Sequence, residues 1–322
     1  MYLGGRKGGG CYDICMKLQT RLIIALALLA AACSPTGAPE RPADTIIIGI
    51  QSDIQSWNPF LAEDATSEEI LTLIYPSLAV EQIDYQQHPP SFEPSLAESW
   101  EFSEDGLSLT FTLRADAVWS DGVPVTSDDL LFSWKVQTSD IYGWLWSDLT
   151  DNIEKVEALD DHTVRYTFSH RYPYQLMDIN DGPIVPAHAW EKIPLEAWED
   201  TDWNEHVLSA GPFLRATHIP QQELILERNP HYFNSGYPRL KGLVFRVVPS
   251  KSALFTQLLA GGIDLVNDIP PAEATRVQSN PDLELRIFAD RSYTHICWNL
   301  ENELFADPAV RRALGLAIDR SA

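Results

Sequence analysis

The chain has 322 residues and carries 23 Lys and Arg against 46 Asp and Glu, a formal net charge of −23 at pH 7, with 45% hydrophobic and 21% charged residues. That profile fits a folded chain of one large or two ordinary domains and excludes a disordered or multi-spanning one. The acidic balance excludes a nucleic-acid binder, which needs clustered Lys and Arg, and four cysteines, at 11, 15, 33 and 297, exclude a disulfide framework or a multi-cysteine metal cage.

Leu22–Ala32, LIIALALLAAA, preceded by Lys17 and Arg21, is the strongly apolar stretch near the start. As a helix it spans about 16 Å, roughly half the hydrocarbon core of a bilayer, which is too short for an ordinary anchor. A basic start, a short apolar run and small residues before a break make residues 1–32 a secretory signal peptide. Met16 opens a better signal than Met1, which marks 1–15 as upstream sequence. Ala30-Ala31-Ala32-Cys33 resembles the lipobox of bacterial lipoproteins, with Leu29 one place ahead of the usual position. The resemblance implies that Cys33 becomes an acylated N-terminus tethered to a membrane; a plain signal peptide with an incidental cysteine is the alternative. Residues 33–44, Pro-rich and without apolar periodicity, are then a flexible tether.

Thr45–Ile50, TIIIGI, is a β-branched run that predicts a strand buried on both faces. After the loop SWNPFLAEDA, Thr66 with Glu69 makes a capping box, and Ile70, Leu71 and Ile74 give its helix an apolar stripe. Trp100 and Phe102 alternate, Asp105-Gly106 turns the chain, and Leu107, Leu109, Phe111 and Leu113 alternate back, which predicts a hairpin. Ser120-Asp121-Gly122 is a second turn. Thr126 caps a helix with Asp128 and Asp129 in its first turn, where the dipole favours acids, and with Leu130, Leu131 and Trp134 on its buried face.

Thr163–Phe168 and Glu223–Glu227 alternate as strands. Leu243–Val248 is a strand feeding a helix over Ser252–Leu259, stopped by Gly261-Gly262, and Ile263–Val266 returns as a strand. This order favours an α/β architecture. Ser292–Leu300 is a further strand candidate, within which Cys297 is expected as a small buried hydrophobe. Asp307-Pro308 opens a last helix, with Val310, Ala313, Leu314, Ala317 and Ile318 on one face and no sequence before Ala322 for that face to pack against.

Nucleophile-elbow, Walker A, dinucleotide and HExxH patterns are absent. None of the eight histidines pairs at i,i+4 or is bracketed by acids at ligand spacing, so neither a metal site nor a cofactor is expected, and the chain is not expected to be an enzyme. A secreted hydrolase using a carboxylate pair is the alternative from another class.

Four blocks carry a resemblance: LAESWEFSEDGLSLTFTLRADAVWSDGVPVTSDDLLFSW at 96–134, GPFL…LERNPHYF at 211–233, LLAGGIDLV at 258–266, and WNLENELFADPAVRRALGLAIDR at 298–320. In content, order and spacing they resemble the extracellular solute-binding proteins of family 5, the oligopeptide, dipeptide and nickel class that feeds ABC importers. The resemblance implies an α/β fold of the two-lobed periplasmic-binding-protein type II, closing over ligand by hinge motion, with an extra subdomain on one lobe. It places the first lobe at 45–65 and 170–288, the subdomain at 66–169, and the start of the second lobe at 289–322. Members continue past residue 322, so most of the second lobe is expected to be missing.

In oligopeptide-binding relatives a loop after the first strand, following an Asp/Asn-Pro pair, contacts the ligand. Asn58-Pro59 matches that pair, which implies Glu63, Asp64 and Ala65 as contacting residues. The alternative is that both acids merely favour the dipole of the helix that follows. A ligand-facing Tyr after the Trp134 helix is matched by Tyr142; Tyr142, Trp144 and Trp146 share one face if extended, and subdomain core is the alternative. Tyr293, His295 and Asn299 lie on the strand entering the second lobe, Asn299 reading better as packing and turn chemistry. Asp121-Gly122 and Asp128-Asp129 read as turn and helix start.

The implied protein is a monomeric, lipid-anchored receptor in the periplasm or cell envelope that captures a peptide or similar extended solute and hands it to an ABC permease complex. A nickel chelate or another small solute is the alternative ligand, and a truncated remnant that binds nothing is the alternative outcome.

Overall fold

The β-branched run forms strand β1 (Thr45–Ile50), which pairs in parallel with β10 (Gly242–Val247) on one side and β11 (Leu265–Val266) on the other. The computed structural model describes residues 44–83, 88–141, 143–287 and 296–319, which fall into two units divided between Asp268 and Ile269. In the first unit β8 (Phe213–Ile219) and β9 (Glu223–Arg228) complete a five-stranded sheet of order β11-β1-β10-β9-β8. The isoleucines of β1 are half-buried rather than fully buried, because β11 is only two residues long and leaves that side thinly covered. Gly49 is where the helix over Lys251–Leu259 and the chain just after it come close: a Cβ there would lie 2.5 Å from a Leu254 methyl and 2.8 Å from one of Ile263.

Helix α1 (Ala65–Leu71) starts two residues earlier than a cap at Thr66 predicts. Asp64, not Thr66, is the N-cap, and its carboxylate accepts from the Ser67 amide at 3.0 Å. Ile70, Leu71 and Ile74 are buried as the apolar stripe requires. A short ribbon of β2 (Ala79–Glu81) and β3 (Phe92–Pro94) follows. The predicted hairpin is β4 (Ala97–Phe102) against β5 (Ser108–Leu113), with Trp100 opposite Phe111 and Phe102 opposite Leu109. Its turn places Gly106 at φ 69, the left-handed region where glycine is favoured. With β6 (Ile153–Asp160) and β7 (Thr163–Phe168) it makes an antiparallel sheet of order β4-β5-β7-β6.

Helix α2 (Ser127–Gln137) buries Leu130, Phe132, Ser133 and Val136, whereas Leu131 and Trp134 stay half-buried. The buried face is wider than the predicted one because its first turn is clamped from two sides through Asp129. One Asp129 oxygen accepts from the Thr126 amide (2.9 Å) and Trp119 Nε1 (3.2 Å), the other from the Ala187 amide (2.8 Å). Burial outweighs these bonds and pushes the Asp129 carboxyl above the ordinary aspartate range.

Helices α3 (Gln175–Asn180) and α4 (Ala187–Trp190) and two 3-10 turns, Leu195–Asp200 and Trp203–Glu205, lead to β8. They carry an aromatic cluster, with Trp190 and Trp203 4.4 Å apart and Trp198 and Trp203 5.1 Å apart between ring centroids. One continuous core runs from Leu109, Phe111 and Val164 of the antiparallel sheet, through these tryptophans, to Leu224, Leu226 and Phe245 of the five-stranded sheet. Helix α5 (Lys251–Leu259) connects β10 to β11 across β1, and Gly261 at φ 71 ends it as predicted.

The second unit contains α6 (Pro271–Gln278), α7 (Glu303–Ala306) and α8 (Pro308–Leu316). Asp307 caps α8 as expected, accepting from the Ala309 amide at 2.8 Å, and no residue of α8 is buried. Residues 296–300 of the predicted strand are irregular, and Cys297 is an exposed free thiol rather than a buried hydrophobe. With no strand pairing over these residues, nothing alternates the side chain into a core.

Candidate functional site

The loop after β1 is fixed by its own polar side chains. Asn58 is fully buried: its Oδ1 accepts from the Phe60 amide (2.9 Å) and its own amide donates to Ser56 Oγ (3.1 Å). The Asn58-Pro59 pair therefore builds an Asx turn that sends Phe60 into the core. There Phe60 packs edge-on against Trp144, ring centroids 5.8 Å apart at 77°. Sequence positions far apart, the loop and the aromatic stretch after α2, thus meet.

Beside this meeting lies an open groove of about 760 Å³, within the size range of small-molecule sites. Pro59, Leu71, Tyr75, Trp144, Trp146 and Ile184 are among the side chains that line it. Trp144 is 4% exposed and Trp146 47%, so one is wall and the other lip. They sit in a turn running into the 3-10 segment Ser147–Thr150, so they do not share the face that an extended strand would give them. Tyr75 is buried, its hydroxyl donating to the Trp57 carbonyl at 2.8 Å, and burial pushes its phenol far up despite the nearby Arg215.

Of the residues implied by the resemblance, Trp144 lines this groove and Glu63, Asp64 and Ala65 do not. Asp64 is committed to capping α1, also accepting from the Ser67 hydroxyl. Glu63 is exposed, its amide donating to Gln55 Oε1 at 3.0 Å, and Ala65 is an exposed first helical residue. Tyr142, Tyr293, His295 and the lipidation candidate Cys33 lie outside the described residues. Sequence reasoning missed Glu68, Thr72 and Tyr75 and read Leu71 as core alone, and all four line the groove. Their spacing of i, i+3, i+4 and i+7 is the signal that marks them as one helical face.

A second, smaller cavity of about 390 Å³ is bordered by Trp57, Asn204 and His218. Under it His218 Nε2 donates to the buried Asp53 carboxylate, 3.0 Å from each oxygen, and Asp53 also accepts from the Gln221 amide at 2.8 Å. Trp57 lies edge-on to His218 and beneath the Arg215 guanidinium, and its indole donates to Asn204 Oδ1 at 3.0 Å. This network ties the loop after β1 to β8 and its turn. Asp121, read as a turn residue, also accepts from His188 Nε2 at 2.8 Å.

Among the described residues no group of three His, Cys, Asp or Glu side chains is gathered as a metal ion would require. No described helix is long and apolar enough to cross a membrane.

The chain is 26% identical over 316 residues to the oligopeptide-binding protein AppA of Bacillus subtilis, covering 94% of this chain and 57% of AppA. It is 27% identical over 334 residues to the periplasmic oligopeptide-binding protein OppA of Escherichia coli, covering 94% of this chain and 60% of OppA. The chain thus spans little more than half the length of these relatives. The solved structure of AppA in complex with a nonapeptide matches with a TM-score of 0.76 at 26% identity, over 86% of this chain and 54% of AppA. NikZ of Campylobacter jejuni, solved in complex with Ni(L-His), matches with a TM-score of 0.69 at 25% identity, over 87% of this chain and 54% of NikZ. The fold is therefore the mixed α/β one of the type II periplasmic binding proteins. Residues 91–322 match the model of the bacterial extracellular solute-binding proteins, family 5 (middle), and the chain belongs to that family.

Proposed function

We propose that this chain is the substrate-binding component of an ABC importer, capturing peptides outside the inner membrane and delivering them to the permease without chemical turnover. The observation that carries the reading is the match to AppA, alike in sequence over 94% of this chain and solved with a nonapeptide. The groove supports it: apolar and aromatic walls beside a loop stiffened by its own hydrogen bonds suit extended ligands with varied side chains. In this reading the first lobe comprises 45–65 and 170–288, the subdomain 66–169, and the second lobe begins at 289. The β4–β7 sheet, which lies wholly within 66–169, supports the subdomain assignment. Glu63, Asp64, Ala65, Tyr142, Trp144, Tyr293 and His295 are the proposed ligand contacts. Cys33 is the proposed lipid attachment, holding a monomeric receptor at the cell envelope.

A nickel-chelate reading is the second, favoured by the match to NikZ with Ni(L-His). Thermal unfolding of the chain separates the two. A peptide pool at about 100 times Kd stabilises a receptor by about 2.7 kcal/mol, a rise in Tm of roughly 4–5 °C for a protein of this size. A rise with peptides and none with nickel plus L-histidine supports the first reading, the reverse supports the second, and consumption of the peptides indicates a hydrolase. A chain that melts unchanged with both is a non-binding one. For the anchor, Cys33→Ser should move the chain from the membrane fraction to the soluble one.

A further inference from the structure

We infer that Asn180 holds ligand in the groove beside Trp144, its side-chain NH₂ donating to a main-chain carbonyl oxygen of the bound peptide. The inference rests on the peptide reading above. Asn180 closes α3 and lines the groove. Its Oδ1 accepts from the Ala79 amide at 2.8 Å, a bond between residues 101 positions apart. Ala79 is 1% exposed. On either side of it the Leu78 carbonyl and the Gln82 amide bond across to Ser95 and Ser91, so the Ala79 amide points the other way, out of the ribbon. A buried N–H needs an acceptor, so the oxygen of the Asn180 amide, not its nitrogen, must face Ala79.

Fixing the oxygen fixes the nitrogen. Nδ2 carries two donor hydrogens, and no described residue accepts from either. Asn180 is half-buried and Nδ2 is not itself a buried atom, so the NH₂ group opens into the groove. The Thr72 and Tyr75 hydroxyls, which line the same groove, are already spent on the Glu69 and Trp57 carbonyls. Leu71, Trp144 and Ile184 make the walls around it apolar. A ligand that covers such a donor shields it from water and must bring an acceptor, or the donor is left unmet. A peptide main chain brings a neutral carbonyl at every residue, whatever its side chains. The tie from α3 to β2 holds the donor in place before ligand arrives, which lowers the cost of ordering it.

The test is Asn180→Asp, which keeps an oxygen for the Ala79 amide and puts a second acceptor where the donor stood. Two peptides, Ala-Ala-Phe-Ala and Ala-Ala-Ser-Ala, are titrated into the wild type and the variant by calorimetry, and both proteins are melted without peptide. The variant should bind each peptide about tenfold more weakly, with a ligand-free Tm within about 2 °C of the wild type. The fold-loss should be the same for the two peptides, because the carbonyl is common to both. In wild-type chain labelled with ¹⁵N-asparagine, the side-chain NH₂ pair that is missing from Asn180→Asp should shift when peptide is added. Wild-type affinity in the variant, a loss for one peptide only, or an NH₂ pair that does not move overturns the assignment and leaves peptide capture standing. Failure of both peptides to bind the wild type overturns the peptide reading and the assignment with it.

Discussion

Replacing Asp129 by alanine removes a carboxylate that is 3% exposed and holds three N–H groups from Thr126, Trp119 and Ala187. Two of those donors, Trp119 Nε1 and the Ala187 amide, are buried and would lose their acceptor. At about 1–3 kcal/mol per orphaned buried donor, the loss is about 2–6 kcal/mol. Asp129→Asn keeps one acceptor oxygen but turns an NH₂ toward the donors on the other side, which costs about 1–3 kcal/mol. The two variants also differ from the wild type in pH dependence. Burial raises the folded pKa of Asp129 above its ordinary value of 3.8. The stability linked to this group is therefore complete below pH 3.8 and lost as pH rises through the raised value. The wild type should gain on Asp129→Asn as pH falls from 7 towards 4. Carboxyls held low, such as Asp105 and Asp116, act in the opposite direction but are common to both proteins and cancel. Urea unfolding followed by tryptophan fluorescence at pH 7 and pH 4.5 reads both effects. An Asp129→Ala protein within about 0.5 kcal/mol of the wild type would refute the clamp. An Asp129→Asn penalty that shrinks on acidification would refute the sign.

His218→Ala leaves Asp53 as a buried charge without its partner and should cost about 3–5 kcal/mol, part of which Asp53→Ala recovers in the double variant; a double-mutant cycle in urea measures the coupling. Gly211→Ala puts a Cβ 2.8 Å from the carbonyl oxygens of both Leu73 and Ile74, where backbone must give way, and should cost about 1–3 kcal/mol in the same assay. Gly122→Ala meets nothing within 4 Å and is strained only by its φ of 88°, so about 1–2 kcal/mol is expected there. Cys297, exposed and free, should react with a thiol reagent in the native chain as fast as in the unfolded one.

Local patterns carried most of the fold. Alternation at Leu109, Phe111 and Leu113 marked a strand because its other face, Ser108, Thr110 and Thr112, is polar and less buried, and Asp307-Pro308 marked a helix start because cap and proline act within four residues. Where two local signals competed, the sequence was ambiguous: Asp64 and Thr66 are both good caps, and the Ser67 amide and hydroxyl decide for Asp64. The breadth of the buried face of α2 was not legible, since it depends on Ala187 and Val185, some fifty residues downstream, docking onto Asp129 and Ser133. The site was legible in pieces. Asn58-Pro59 and Trp144 pointed to the right region, but Glu68, Thr72 and Tyr75 passed unnoticed and Leu71 was read as core alone, because Ile70, Leu71 and Ile74 already explained the helix. The Asp53–His218 pair joins residues 165 positions apart and has no sequence signature at all.

The placement of β1 has a consequence in time rather than in space. Residues 45–50 find their two parallel neighbours only at 242–247 and 265–266, so the strand made first must wait for nearly all of the first unit. Before then Ile46, Ile47 and Ile48 have no ladder to join, and a run of β-branched residues awaiting a partner is prone to pair with another chain. The β4–β5 hairpin, closed by a five-residue connection, has no such delay. Folding of this unit is thus set to run from the middle of the chain outward, with the N-terminal strand among the last to settle.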